Sequence, residues 1–201
     1  GSKGMYHINM VDEVTQYEMI ASVEKISEQY LRPIVEELLA LFPFPIFEFH
    51  SDNGSEYINH MVAALLNKLH IEMTKSRSHH SNDNALVESK NGSIIRKLYG
   101  RNFIDAKLAT LFHEFNRTFV NPYLNYHRPS GFSTLKIDRR GKQKKKYDIY
   151  LTPYEKLKSL PNAGRYLKAS LSFDALDKIA YSESDNACAR RMKKEKQELF
   201  K

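Results

Sequence analysis

Two carboxylates stand where they could share a cation. Asp52 follows an apolar run at residues 46–50 (IFEFH) and leads into Asn53-Gly54, a pair that turns the backbone sharply. A carboxylate at the end of a strand, just before a helix, faces the crevice where open α/β sheets place their sites. An Asp before Asn-Gly is equally an ordinary turn residue. Glu88 falls in the first turn or so of a helix that follows the polar segment 76–84 (SRSHHSNDN). Spacings of four, three and four put Asn84, Glu88, Asn91 and Ile95 on one helix face, with Lys90 beside them. Two carboxylates brought together there could hold a hard divalent cation through oxygen. Phosphoryl transfer needs such a clamp on its attacking and leaving oxygens.

A second group of residues points to a polyanion. Residues 1–100 carry a net charge of −4 and residues 101–201 a net charge of +11. Arg139, Arg140, Lys142, Lys144, Lys145 and Lys146 crowd six cations into eight positions, with Tyr147 and Tyr150 following. Each phosphate neutralised releases counterions, so such a patch gives strong, salt-dependent, sequence-blind affinity. The tyrosines could pack on sugars or bases. A solvated turn is the plain alternative. The cations near residue 190 alternate with Glu195 and Glu198 and suit an ordinary charged helix face.

These residues need elements to carry them. Residues 6–11 and 17–23 predict two strands, with Asp12–Gln16 as the turn. Ser27 is placed to cap a helix over 28–42, with Leu31, Ile34, Val35, Leu38, Leu39 and Phe42 on one face. A third strand spans 46–50, and a helix capped by Ser55 carries apolar residues from Tyr57 to Leu69 at a 3.6 period. A short strand at 71–75 precedes the polar segment. Helices at 85–99 and to about 120 follow, the second periodic through Leu108, Leu111, Phe112, Phe115 and Phe119. Alternating strands and helices predict an α/β domain over 1–129. The texture changes after His127-Arg128-Pro129, giving a basic hairpin at 136–150 and a helical extension over 130–201.

HSDNGSEYINH, then 35 residues between Asp52 and Glu88, then NALVESKNG, resembles the catalytic core of DDE transposases and retroviral-type integrases. The likeness is nearest to bacterial insertion-sequence transposases. NPYLNYHRPS (121–130) and TPYEKL (152–157) resemble segments after that core, so the likeness runs over roughly residues 5–160. It implies an RNase H-like mixed sheet with flanking helices, two Mg²⁺ or Mn²⁺ ions, and cleavage and joining of DNA strands. Asp52 and Glu88 match the second and third acidic residues of the family triad. Asn84, Lys90, Asn91, Arg96 and Lys97 would meet DNA beside them, with the 139–146 cations beyond. Double-stranded DNA is the implied partner, and a homo-oligomer, a dimer in preference, the implied assembly.

The first acidic residue of the triad is the point of departure. The family carries it on an opening strand that precedes the one matching YHINMV, and that opening strand is expected to be missing. Asp12 would then sit at the far end of the sheet, because its strand runs antiparallel to the one that leads to Asp52. A chain lacking the opening strand is expected to be inactive, or a non-catalytic DNA-binding or assembly module. His79 and His80 suit a loop that orders on DNA, and His50 suits a sheet position. No run approaches 18 apolar residues, and residues 1–5 have no signal-peptide core. Gly1-Ser2 resembles a cloning scar. The single Cys188 excludes a disulfide framework and any multi-cysteine zinc site, and a cytoplasmic, nucleoid-associated setting in a bacterium is the expectation.

Overall fold

The computed structural model describes residues 4–51, 56–75, 85–101, 103–137 and 141–201. The chain is mixed α/β and divides into two compact units, residues 1–11 with 19–118, and residues 12–18 with 119–201. No helix among the described residues is long and apolar enough to cross a membrane.

In the first unit, β1 (Tyr6–Val11) pairs with β2 (Glu18–Val23). The short connection between them makes the pair an antiparallel hairpin. Every residue of β2 is buried, as expected of a strand covered on both faces. α1 (Glu28–Leu41) starts at Ser27, whose backbone is extended but whose hydroxyl makes no cap hydrogen bond. It buries Leu31, Val35, Leu38 and Leu39, and Phe42 just past its end is buried as well, so five of the six residues expected on its inner face are inside. β3 (Glu48–Ser51) pairs in parallel with β4 (Glu72–Lys75), with Glu48 opposite Glu72 and Ser51 opposite Lys75. α2 (Glu56–Lys68) is the crossover between them and buries Val62, Leu65 and Leu66. Among the described residues β1 and β3 stand in separate two-stranded sheets.

α3 (Ala85–Lys90) runs through a π-helical turn, Asn91–Ile95, into α4 (Arg96–Tyr99). The wider i→i+5 turn breaks the 3.6 spacing, so the face expected through Asn84, Glu88, Asn91 and Ile95 does not continue past Lys90. α5 (Ala109–Phe115) buries Ala109, Phe112, His113 and Phe115 and leaves Leu108 and Leu111 exposed. The predicted stripe fails there because polar His113 and Asn116 take inward positions. His113 Nε2 meets Glu37 Oε2 at 3.1 Å. Asn116 joins a network in which Tyr99 Oη donates to Asn116 Oδ1, Asn116 Nδ2 donates to Ser22 Oγ at 3.0 Å, and Ser22 Oγ meets His7 Nδ1 at 2.9 Å. The His7 ring stacks on Tyr99, 4.5 Å between centroids.

The second unit starts near residue 119 rather than 130, because the helical turn Tyr123–His127 packs on the C-terminal helices. β5 (Ser130–Ile137) and β6 (Gln143–Leu151) form an antiparallel hairpin longer than the sequence predicts, with an irregularity between Phe132 and Ser133. α6 (Pro153–Lys158), α7 (Phe173–Ala180) and α8 (Asp185–Leu199) complete it. α6 opens on a capping box. Glu155 N donates to Thr152 Oγ1 at 3.1 Å, and Thr152 N to Glu155 Oε2 at 2.7 Å. The unit's core is aromatic, with Tyr126 packed 6.1 Å from Tyr17 and 5.3 Å from Tyr154.

Candidate functional site

The parallel β3–α2–β4 unit lies beside the segments that hold the expected acidic pair in the sequence. Parallel strands end at the same edge, and the chain leaves β3 directly into Asp52. Asp52, Asn84, His79 and His80 lie outside the described residues. Glu88 is exposed in the first turn of α3. His50 Nδ1 donates to Thr74 Oγ1 (2.9 Å), which donates to Glu48 Oε1 (2.8 Å). This cross-strand chain suits the sheet position expected of His50.

The helix residues assigned to DNA divide. Arg96 and Lys97 are exposed. Lys90 is buried, so its ammonium is not offered at the surface. Asn91 is half-buried and its Oδ1 accepts from Asn9 Nδ2 on β1 at 2.9 Å. The Asn91 bond ties the start of the π-helical turn to β1.

Asp12 is occupied by its own turn. Its Oδ2 accepts from Thr15 N (2.7 Å) and Thr15 Oγ1 (2.6 Å), and its backbone bonds Tyr17 O and Gln16 N. The side chain thus closes the turn through a local bond to the backbone three residues on, in keeping with a structural role. The sole group of three potential metal ligands among the described residues lies elsewhere, at His127, Glu183 and Cys188.

Of the six clustered cations, Arg139 and Arg140 lie outside the described residues. Lys142, Lys144, Lys145 and Lys146 are all exposed on the hairpin. Strand alternation separates its faces. Lys136 pairs across with Lys144, and Thr134 with Lys146. Asp148 joins that face, 3.2 Å from Lys136 Nζ and 3.6 Å from Lys146 Nζ, and accepts from Thr134 Oγ1 at 2.8 Å. The Thr134 hydrogen bond, then the lysines, hold the Asp148 carboxyl below its ordinary pKa. One carboxylate among so many lysines leaves a net positive face. The opposite face carries Leu135, Ile137 and Tyr147, each more than half exposed. Lys136 belongs to no charge run in the sequence, and its register with Lys144 is what brings it into the cluster.

No family model matches the chain. Over 61 residues it is 43% identical to "Uncharacterized protein y4rM" of Sinorhizobium fredii, a match that covers 30% of this chain and 17% of that relative. The matched segment thus spans about a sixth of the relative's length.

Burial pushes the Cys188 thiol up to about 11, with the Glu183 carboxylate adding to the effect. Arg191, hydrogen-bonded to Glu183, draws that carboxyl below its usual value. His127 is buried, and its Nδ1 donates to Asp185 Oδ1 at 3.0 Å. Nothing in the sequence joins His127 to Cys188, because 60 residues separate them and neither sits in a spacing motif.

Proposed function

We propose that this chain carries part of a metal-dependent DNA strand-transfer centre of the transposase and integrase type, on an RNase H-like arrangement. The observation that supports it best is the β3–α2–β4 unit. Its strands end at one edge, where the chain runs into Asp52, and the next helix carries Glu88 in its exposed first turn. The motif spacing adds to this. Asp52 and Glu88 would hold Mg²⁺ or Mn²⁺, which when bound supplies positive charge at the attacking and leaving phosphodiester oxygens. An exposed carboxylate such as Glu88 suits a hydrated hard cation. The hairpin lysines would hold the duplex through its phosphates.

A second reading, a DNA-binding or assembly module without catalysis, is favoured by one observation. The Asp12 carboxylate is engaged in its own turn. The test pairs duplex binding across a salt series with strand nicking and joining in Mg²⁺ or Mn²⁺. The strand-transfer reading expects duplex binding, and any divalent-dependent nicking should fall roughly a hundredfold in D52N and in E88Q while binding persists. Nicking that survives both substitutions would remove the acidic pair. Binding with no nicking at any divalent concentration would favour the module.

A further inference from the structure

We propose that His127, Glu183 and Cys188 form a zinc site that fastens the start of α8 to the Tyr123–His127 turn. One ligand atom from each lies within 4.8 Å of the others. Thiolate, imidazole and carboxylate together are a donor set for Zn²⁺, whereas hard cations such as Mg²⁺ take oxygen alone. Tetrahedral zinc with bonds of about 2.0–2.3 Å holds its ligand atoms roughly 3.5 Å apart. The cluster must therefore close by about 1 Å. Glu183 can make that movement, since its side chain is 25% exposed, while His127 and Cys188 are fixed by burial.

A supporting contact is already made. Metal-bound histidines usually donate their second ring N–H to a carboxylate, which fixes the tautomer. His127 Nδ1–H donates to Asp185 Oδ1 at 3.0 Å, and in that tautomer Nε2 is the nitrogen left for the ion. Asp185 and Cys188 lie three apart on α8 and share a face. A way in exists as well. Glu183, Ser184 and Asp185 line an open groove with Tyr126 and Tyr181. Three protein ligands leave the fourth position to water.

Arg191 is the competitor. Its guanidinium bonds Glu183 and must leave before an ion enters. It has somewhere to rest, because it already lies over the Phe119 ring, 5.3 Å from the centroid. Zn²⁺ binds the sulfur of Cys188, the S–H proton passes to solvent, and no electrons are transferred. Thiolate and carboxylate then neutralise the ion.

The test titrates the untagged 201-residue chain with Co²⁺, then displaces it with Zn²⁺. The lone cysteine makes a thiolate-to-cobalt charge-transfer band diagnostic of this site. The band should appear with one equivalent and vanish on adding Zn²⁺. C188A should abolish it, and H127Q and D185N should weaken binding about ten- to hundredfold. R191Q, which alters an exposed side chain and so keeps the fold in hand, should tighten it. A wild-type chain that gives no such band would overturn the proposal. So would R191Q binding no tighter than wild type, or H127Q binding as well as wild type with its circular dichroism unchanged.

Discussion

His7 shows how burial turns a residue into a pH-dependent element of stability. Burial lowers its pKa from 6.5 to about 4. A depressed folded value means that the unfolded chain binds more protons between pH 6.5 and 4, so stability is full above pH 6.5 and falls as the pH drops through that window. The shift corresponds to about 3 kcal/mol at most. Replacing His7 with Phe keeps the stack on Tyr99 and removes the proton site. Urea unfolding across pH 4–7 should give a flatter stability profile for H7F than for wild type, and equal slopes would show that His7 does not titrate with folding. None of this was legible in the sequence. His7 sits in a strand like any other residue, and its partners Ser22 and Tyr99, with Asn116 bonded to both of them, come from three separate elements. Asp12 was more legible. The turn it was expected to open is there, with its carboxylate bound to Thr15.

At the scale of elements, helices and strands with one clear apolar period were readable, and those that bury polar groups were not. α1 buries the inner face that the 3.6 period predicts, and α2 buries Val62, Leu65 and Leu66 of its face but leaves Leu69, just past its end, exposed, whereas α5 buries Phe112 and Phe115 together with polar His113 and exposes Leu111. The π-helical turn after Lys90 was equally invisible, since no residue type announces it. α6 starts in the order Thr152-Pro153-Tyr154-Glu155, which makes a capping box. Thr152→Ala should therefore cost about 1 kcal/mol, read by chemical denaturation, and no change would mean that Pro153 alone starts the helix. The hairpin makes a stronger prediction. Lys136 and Lys144 face each other directly, and like charges opposed across strands are destabilising. A polyanion would relieve that. Changing Lys142, Lys144, Lys145 and Lys146 to Gln should weaken duplex DNA binding and lower the slope of log affinity against log salt by roughly one for each phosphate that is no longer neutralised. An unchanged slope would take the hairpin out of the DNA interface.

At the scale of the molecule, the telling feature is how the strands of the first unit divide. Four strands make two pairs, β1 with β2 and β3 with β4. Gly4 and Met5 meet Ile104 and Asp105, but from Tyr6 onward β2 is the only strand beside β1 among the described residues, and β4 is the only one beside β3. Two-stranded sheets are marginal on their own, and β3 and β4 are only four residues each. Strand edges left without partners recruit other chains. The outer edges of these two pairs support a proposal for the assembly: we propose that a strand from a second copy pairs there, giving an intertwined dimer. Light scattering of the 201-residue chain should then give twice the mass of one chain. Dilution should bring dissociation together with reduced amide-exchange protection in β1 and β3. A substitution that removes a backbone donor separates pairing between chains from packing of side chains. Ile8→Pro on β1 should lower the dimer's stability by several-fold in dissociation constant more than Ile8→Ala does, because proline deletes the N–H as well as the side chain. A monomer at all concentrations, with β1 and β3 protected, would show that the chain satisfies its own edges and would end the dimer proposal.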